Sequence, residues 1–524
     1  MTAFILVSGM FTGTHVWQET AARLTAAGAQ AHSVALTGLD GPRAATGTGG
    51  IDLETHIADV LAAIDALDTA ADQRIVLVGH DYGIHPAIGA ADRRARRVDR
   101  VVHLDSGLPR NGVPALAALP DQPLREKYAG WEATDGDAGG DTNGDADEAS
   151  DGVLPPPAHD EWPRWGSTAG VPGTALDRLT ALAAPQPLGT LLQPLRLTGA
   201  VDSVPTTGVL CTGNGSSIEM VQMLVGLGDP ALRALTDPRV TFFELPTGHW
   251  PMLSCPAELT DVLLRAAAGE GHRLEPVDAT APPAHLGPFL LDVPEVPRER
   301  HGTVDLHLPD AEEPRPAVVF VHGGPVPADA RPTPRDWPTL TGYARLAAEG
   351  GAVGVVLDHR LHDLTDYPRA AADVAAAVEL VRADPRVDAD RIALWFFSGG
   401  GLLAADWLDT PPAWLRCLAA TYPILAPLPN WGLSGTRFRP ARAVAGAGAL
   451  PVVLTRVGLE MPEIAATVEE FLTAAKDCGA DVEVIDVPHG HHAFETIDRT
   501  DEWRAAVRRA MRTVLALTGP DEAP

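Results

Sequence analysis

Lysine is almost missing from this sequence: Lys127 and Lys476 are its sole occurrences, and arginine carries nearly all of the positive charge. Ala, Gly, Pro, Asp and Arg abound, a pattern of high-GC coding that carries no chemistry of its own. Basic residues number 40 against 69 acidic ones, for a formal net charge of −29. Nucleic acid and anionic membrane require basic patches, so neither is expected as a partner, and a small, neutral or apolar substrate fits better. Cysteine is scarce too. Cys211, Cys255, Cys417 and Cys478 have neither the pairing of a disulfide framework nor the spacing of a zinc site, and read as small core residues. No apolar run approaches the roughly 20 residues that span a bilayer. Met1 to Gly9 has no basic leader region and no small-residue cleavage site, so it reads as a buried strand and the protein as cytoplasmic. Asp135 to Gly152 alternates aspartates with glycine but lacks EF-hand spacing, and reads as a disordered loop. No motif requires a metal or a cofactor.

A chain of 524 residues exceeds one ordinary core, and two domains are the working expectation. Short β-branched or apolar runs alternate with Ala-rich helical stretches: Phe4 to Val7, Ile75 to Val78, Val101 to Leu104, Gly208 to Cys211 and Val240 to Leu245. The rhythm repeats at Ala317 to Val321, Val353 to Asp358, Ile392 to Trp395, Cys417 to Thr421, Pro451 to Thr455 and Val482 to Val487. Buried strands separated by helices indicate crossover units on a mostly parallel sheet, an α/β class occurring twice in tandem. Residues 269–288 are rich in Pro, Gly and Ala and form the expected linker between domains at 1–268 and 289–524.

In the first half, strand Ile75 to Val78 runs through Gly79-His80-Asp81-Tyr82-Gly83 into a helical stretch. Glycines two before and two after the central residue are what a tight nucleophile turn needs, although an incidental aspartate on a strand–helix turn has the same look. Leu6-Val7-Ser8-Gly9-Met10, Trp17, Cys211-Thr212 and Gly248-His249 resemble the hydroxynitrile lyase and plant methyl-esterase branch of the α/β-hydrolases over residues 1 to 265. That branch carries serine at the turn. Aspartate there is similar to haloalkane dehalogenases and epoxide hydrolases, and implies an alkyl ester on Asp81 that water, activated by His249, then cleaves. The resemblance puts the acid at Gly213-Asn214, where no carboxylate stands. Asp105, ending the strand Val101 to Leu104, is either its replacement or a cap on the next turn. The resemblance further implies an oxyanion hole from the N–H groups of Met10 and Tyr82. It also implies a lid over about 110–205, whose Tyr128, Trp131, His159, Trp162 and Trp165 would wall an apolar pocket, although clustered tryptophans are more often plain packing. Tyr128, His80 or His159 would protonate an opened epoxide.

In the second half, Val318-Val319-Phe320-Val321-His322-Gly323-Gly324-Pro325 and Ser398-Gly399-Gly400-Gly401 resemble feruloyl-esterase, hormone-sensitive-lipase and dienelactone-hydrolase-like enzymes over residues 286 to 517. The resemblance implies Ser398 as nucleophile, His492 as its base, Glu460 as the acid and Gly324 with Gly399 as oxyanion donors. Phe396 departs from it, since a small residue normally opens this turn. The expected function is a hydrolase that opens an epoxide through Asp81 and cleaves an ester through Ser398 on a small apolar metabolite, in a setting such as secondary metabolism, and a homodimer is compatible with it. The alternatives are a haloalkane-type dehalogenase, a carboxylesterase with one active domain, and a non-catalytic ligand-binding or interaction protein.

Overall fold

The strands form where buried Val, Ile, Leu and Phe run without a break, because side chains on both faces of a parallel sheet are covered by helices. In a computed structural model that describes residues 1–40, 50–67, 73–129, 152–226, 230–276, 283–433 and 435–519, the chain divides into two compact units. One comprises Met1–Val225 with Pro230–Pro276, the other Gly226–Asp229 with Val277–Pro524. Trp131 and residues 135–151 of the acidic run lie outside the described residues. Residues 272–275, placed in the linker from sequence, belong to the first unit: His272 bridges Phe242, and the Glu275 N–H donates to Gln222 Oε1 at 2.7 Å.

The first unit contains β1 (Thr2–Val7), β2 (Gln30–Ser33), β3 (Arg74–His80) and β4 (Arg100–Leu104), then a small antiparallel pair of β5 (Val153–Leu154) and β6 (Gln186–Pro187), then β7 (Thr206–Cys211) and β8 (Val240–Leu245). Its six-stranded sheet, ordered β2-β1-β3-β4-β7-β8, is parallel throughout. This order places the ends of β3, β4 and β7 side by side. The second unit contains β9 (Arg298–His301), β10 (Val304–His307), β11 (Arg315–Val321), β12 (Val353–Leu357), β13 (Val387–Phe397), β14 (Leu415–Thr421), β15 (Val452–Leu459) and β16 (Val482–His491). The order is β16-β15-β14-β13-β11-β12-β10-β9, with β10 and β9 the antiparallel edge. Both cores hold the expected apolar runs, from Phe4 to Val7 and from Ala317 to Val321, fully buried. β2 and β9 carry no apolar run, because their side chains, QAHS and RERH, lie largely exposed at sheet edges. No helix among the described residues is long and apolar enough to cross a membrane.

Candidate active sites

Each sheet ends its central strand in a residue forced to positive φ. Asp81 follows β3 at φ 50° and Ser398 follows β13 at φ 49°, a left-handed conformation that costs a non-glycine residue about 1–3 kcal/mol. The surroundings hold both turns. A Cβ on Gly79 would lie 2.5 Å from Ile84 Cα, and one on Gly83 2.4 Å from the Ser8 carbonyl oxygen, so the flanking glycines are steric requirements. In the second turn the corresponding close approaches are at Gly399, 2.3 Å from the Gly324 carbonyl oxygen, and at Gly400, 2.4 Å from that of His322. Phe396 is accommodated. It is fully buried opposite Ala420 of β14, and the chain after it continues as a narrow 3₁₀ helix from Ser398 to Ala404 before widening into an α-helix.

At the first site, Asp105, itself at φ 44°, accepts three contacts that converge from β7 and from the turn after β8. Its Oδ1 accepts the Cys211 N–H at 3.1 Å, and its Oδ2 accepts Asn214 Nδ2 at 2.8 Å and His249 Nδ1 at 2.7 Å. Asn214 thus occupies the expected acid position without a carboxylate of its own; its side chain binds that of Asp105 and takes the Ser167 N–H on Oδ1 at 2.8 Å. His249 Nε2 faces Asp81 Oδ1 at 3.9 Å. Asp81 Oδ2 accepts the Met10 N–H at 3.0 Å, so this donor is held by the carboxylate itself. Burial alone would lower the His249 pKa, but the hydrogen bond and charge of Asp105, with the charge of Asp81, raise it above its ordinary value. His80 behaves oppositely: burial, reinforced by the His249 charge, brings it down to about 4, and this neutral ring donates Nε2–H to the His249 carbonyl at 2.8 Å.

The expected lid residues part company here. Trp162 and Trp165 stand edge-on to Phe11, at ring distances of 6.4 and 4.7 Å, and Trp162 also abuts Trp250, the neighbour of His249. Tyr128 is buried on the helix Gln122–Ala129. His159 is not drawn in: its side chain is 54% exposed and pairs with Asp177 at 3.1 Å. Tyr82 turns its hydroxyl away from the site onto His56 Nδ1 at 2.9 Å. Sequence reasoning missed Gly166, whose Cβ would lie 2.5 Å from His249 Cβ. Gly166→Ala must shift the base of the imidazole or its own loop, and is expected to cost roughly 1–3 kcal/mol in urea unfolding. Gly107→Ala, with nothing within 4 Å of its Cβ, is the control that leaves the midpoint in place.

At the second site, Ser398 Oγ lies 2.7 Å from His492 Nε2, and His492 Nδ1 lies 2.8 Å from Glu460 Oε2. Three residues from three strand ends are therefore joined in one hydrogen-bonded line. Gly323 is pressed against the nucleophile, a Cβ there meeting Ser398 Cβ at 2.8 Å. The Gly323 carbonyl accepts from His322 Nδ1 at 2.5 Å, and since a trans peptide sets C=O and N–H on opposite sides, the Gly324 N–H is turned away from His322. Burial keeps His322 neutral, down to about 4, and its ring stacks on His359 at 3.6 Å. Such an array can pass a proton from the serine to the imidazole and leave backbone N–H groups for a developing oxyanion.

Comparison with known proteins places the chain in a family. Residues 4–262 match a family model described as "Alpha/beta hydrolase family", and residues 304–406 match one described as "BD-FAE". A carbendazim hydrolyzing esterase from Nocardioides sp. (strain SG-4G) is 30% identical over 270 residues, 50% of this chain and 98% of that protein. Among solved structures, a methylesterase from Arabidopsis is similar at 17% identity and a TM-score of 0.38, covering 51% of this chain and 99% of that one. A thermostable carboxylesterase cloned from a metagenomic library is similar at 19% identity and a TM-score of 0.36, covering 44% and 92%.

Proposed function

The chain belongs to the alpha/beta hydrolase family and is a hydrolase, and from that premise we propose that its second unit is a carboxylesterase acting through Ser398. The observation that carries this reading is the unbroken line from Ser398 Oγ through His492 to Glu460 at 2.7 and 2.8 Å. His492 removes the serine proton as Oγ attacks the ester carbonyl, and the N–H groups of Gly324 and Gly399 receive the oxyanion. Glu460 orients the imidazole and stabilises its cation. The imidazolium then protonates the departing alcohol, and a water deprotonated by His492 cleaves the acyl-serine. A fluorophosphonate probe tests this: its mass is expected on the peptide containing Ser398, and none in His492→Ala. Labelling of another residue, or of none, would sink the reading.

A second reading concerns the first unit and is favoured by the Met10 N–H on Asp81 Oδ2. One carboxylate oxygen rests where a serine hydrolase would hold an oxyanion, and the other faces His249. An ionised carboxylate of this kind attacks a saturated carbon: Oδ1 opens an epoxide C–O bond, and the resulting alkoxide takes a proton from the His249 imidazolium. Once Asp81 is esterified its charge is gone, which removes one of the causes holding the His249 pKa up and frees the ring as a base for water. Water then attacks the ester carbonyl and releases a diol. The partly exposed Trp165, packed edge-on against buried Phe11, favours a small apolar substrate. The turned hydroxyl of Tyr82, which offers nothing to a halide, weighs against a dehalogenase. A single turnover of styrene oxide in heavy-oxygen water is expected to place label in the Asp81 peptide; an unlabelled aspartate beside a labelled diol contradicts alkyl-ester chemistry.

A further inference from the structure

Three residues beyond His492 a carboxylate is sealed in the core of the second unit. Glu495 lies on the short helix Phe494–Ile497 and is 0% exposed. Both of its oxygens are used: Oε1 accepts the Tyr343 hydroxyl at 2.7 Å, and Oε2 accepts the Tyr422 hydroxyl at 2.9 Å. Tyr343 comes from the helix Pro338–Glu349, while Tyr422 follows β14 with its backbone at φ 38° and its N–H on the Thr455 carbonyl at 2.9 Å. The ring of Tyr422 stands 4.9 Å from that of His492 and 5.3 Å from that of Phe494. His492 itself sits on a strained turn, since the next residue, Ala493, is at φ 61°. Its two nitrogens are tied to Ser398 and Glu460, bonds that fix an axis through the ring but leave its faces to be held by packing. The Tyr422 ring leans against the imidazole at an interplanar angle of 51°.

We propose that Glu495 is a positioning residue of the second site, anchoring the hydroxyl of Tyr422 so that the tyrosine ring braces the imidazole of His492. This rests on the serine reading of that site. A buried carboxylate is a costly anchor where an apolar side chain would pack more cheaply. Burial pushes the Glu495 pKa up to about 7, while the hydroxyls of Tyr343 and Tyr422 and the charge of His492 act in the opposite direction. Those three groups surround the carboxylate, and Glu460 lies beyond Tyr422. Ionised, Glu495 accepts both hydroxyls; protonated, it competes with them for an acceptor, so the brace is firmest above neutrality.

The test uses the full chain, with Glu495→Gln, Tyr422→Phe and the double variant, assayed on p-nitrophenyl acetate from pH 6 to 9 beside fluorophosphonate labelling of the wild type. Each single variant is expected to lose kcat on the order of 10-fold with KM within about twofold, and the double variant to lose no more than either, because both act through one contact. Glu495→Gln is also expected to melt no lower than wild type at pH 8, since it removes a buried charge, and to lose the component of the kcat profile near neutrality. Activity that falls only in step with the folded fraction, or a Glu495→Gln enzyme with wild-type kcat and pH profile, overturns the proposal. So does a loss confined to Tyr422→Phe. If wild-type Ser398 takes no label, the serine reading fails first and the brace fails with it; if Ser398 is labelled and the variants are silent, the brace alone is wrong.

Discussion

Ser398→Ala is expected to lower kcat/KM for p-nitrophenyl esters by roughly 10⁴- to 10⁶-fold, the scale on which removing the nucleophile of a serine–histidine–acid unit acts. The magnitude follows from the geometry. Ser398 Oγ is the atom that donates its proton to His492 Nε2 at 2.7 Å, and alanine leaves the imidazole and the backbone N–H groups with nothing to activate. His492→Ala should cost nearly as much, and the double variant little more, because the residues act as one unit. Asp81→Ala should leave ester turnover within about twofold. Initial rates on the purified variants decide the matter, and a Ser398→Ala chain that keeps more than about a tenth of wild-type ester activity would move the esterase elsewhere.

The second large effect is a gain. A carboxylate attacking an ester carbonyl yields an anhydride, a poor intermediate, so Asp81 is mismatched to esters although its surroundings are not. His249 is backed by Asp105 at 2.7 Å, and the Met10 N–H that Asp81 now holds would be released to an oxyanion if the carboxylate were gone. Asp81→Ser in a Ser398→Ala background is therefore expected to raise p-nitrophenyl ester hydrolysis by about 10²-fold or more over Ser398→Ala alone, a modest share of what general-base catalysis and an oxyanion hole supply together. Adding His249→Ala should abolish the gain. No increase, or one indifferent to His249, would mean that His249 and Met10 are not aligned on position 81.

The fold was legible because its signal is local. Runs such as Ile75 to Val78 and Ile392 to Trp395 are apolar enough to name themselves as buried strands, and each leads into a turn of distinctive composition. What stayed open or hidden depends on strands being neighbours, as with Asp105, which the sequence left between an acid and a turn cap. Asp105 and His249 are 144 residues apart, and their contact exists because β4 and β7 are adjacent and β8 follows, an order no local pattern encodes. Asn214 looked like a missing acid for the same reason; its use as a clamp on Asp105 appears only when the two strand ends meet. Phe396 looked obstructive because its neighbours across the sheet, Ala420 of β14 and Val321 of β11, are distant in sequence. Glu495 gave no sign at all, since a carboxylate after His492-Ala493-Phe494 reads as surface until Tyr343 and Tyr422 arrive from elsewhere in the chain. His159 misled in the other direction, a plausible proton donor by type that folding leaves in water.

We propose that the two turns carry different nucleophiles for different carbon centres, Ser398 for acyl groups and Asp81 for saturated carbon. Rapid mixing of the full chain with excess p-nitrophenyl acetate, quenched in acid and mapped by peptide mass, tests it most directly. A burst of one nitrophenolate per chain, with a single acetyl group on the Ser398 peptide and none on the Asp81 peptide, is the result the account predicts. A burst of two, no covalent acetyl group at Ser398, or acetyl on the first unit would contradict it.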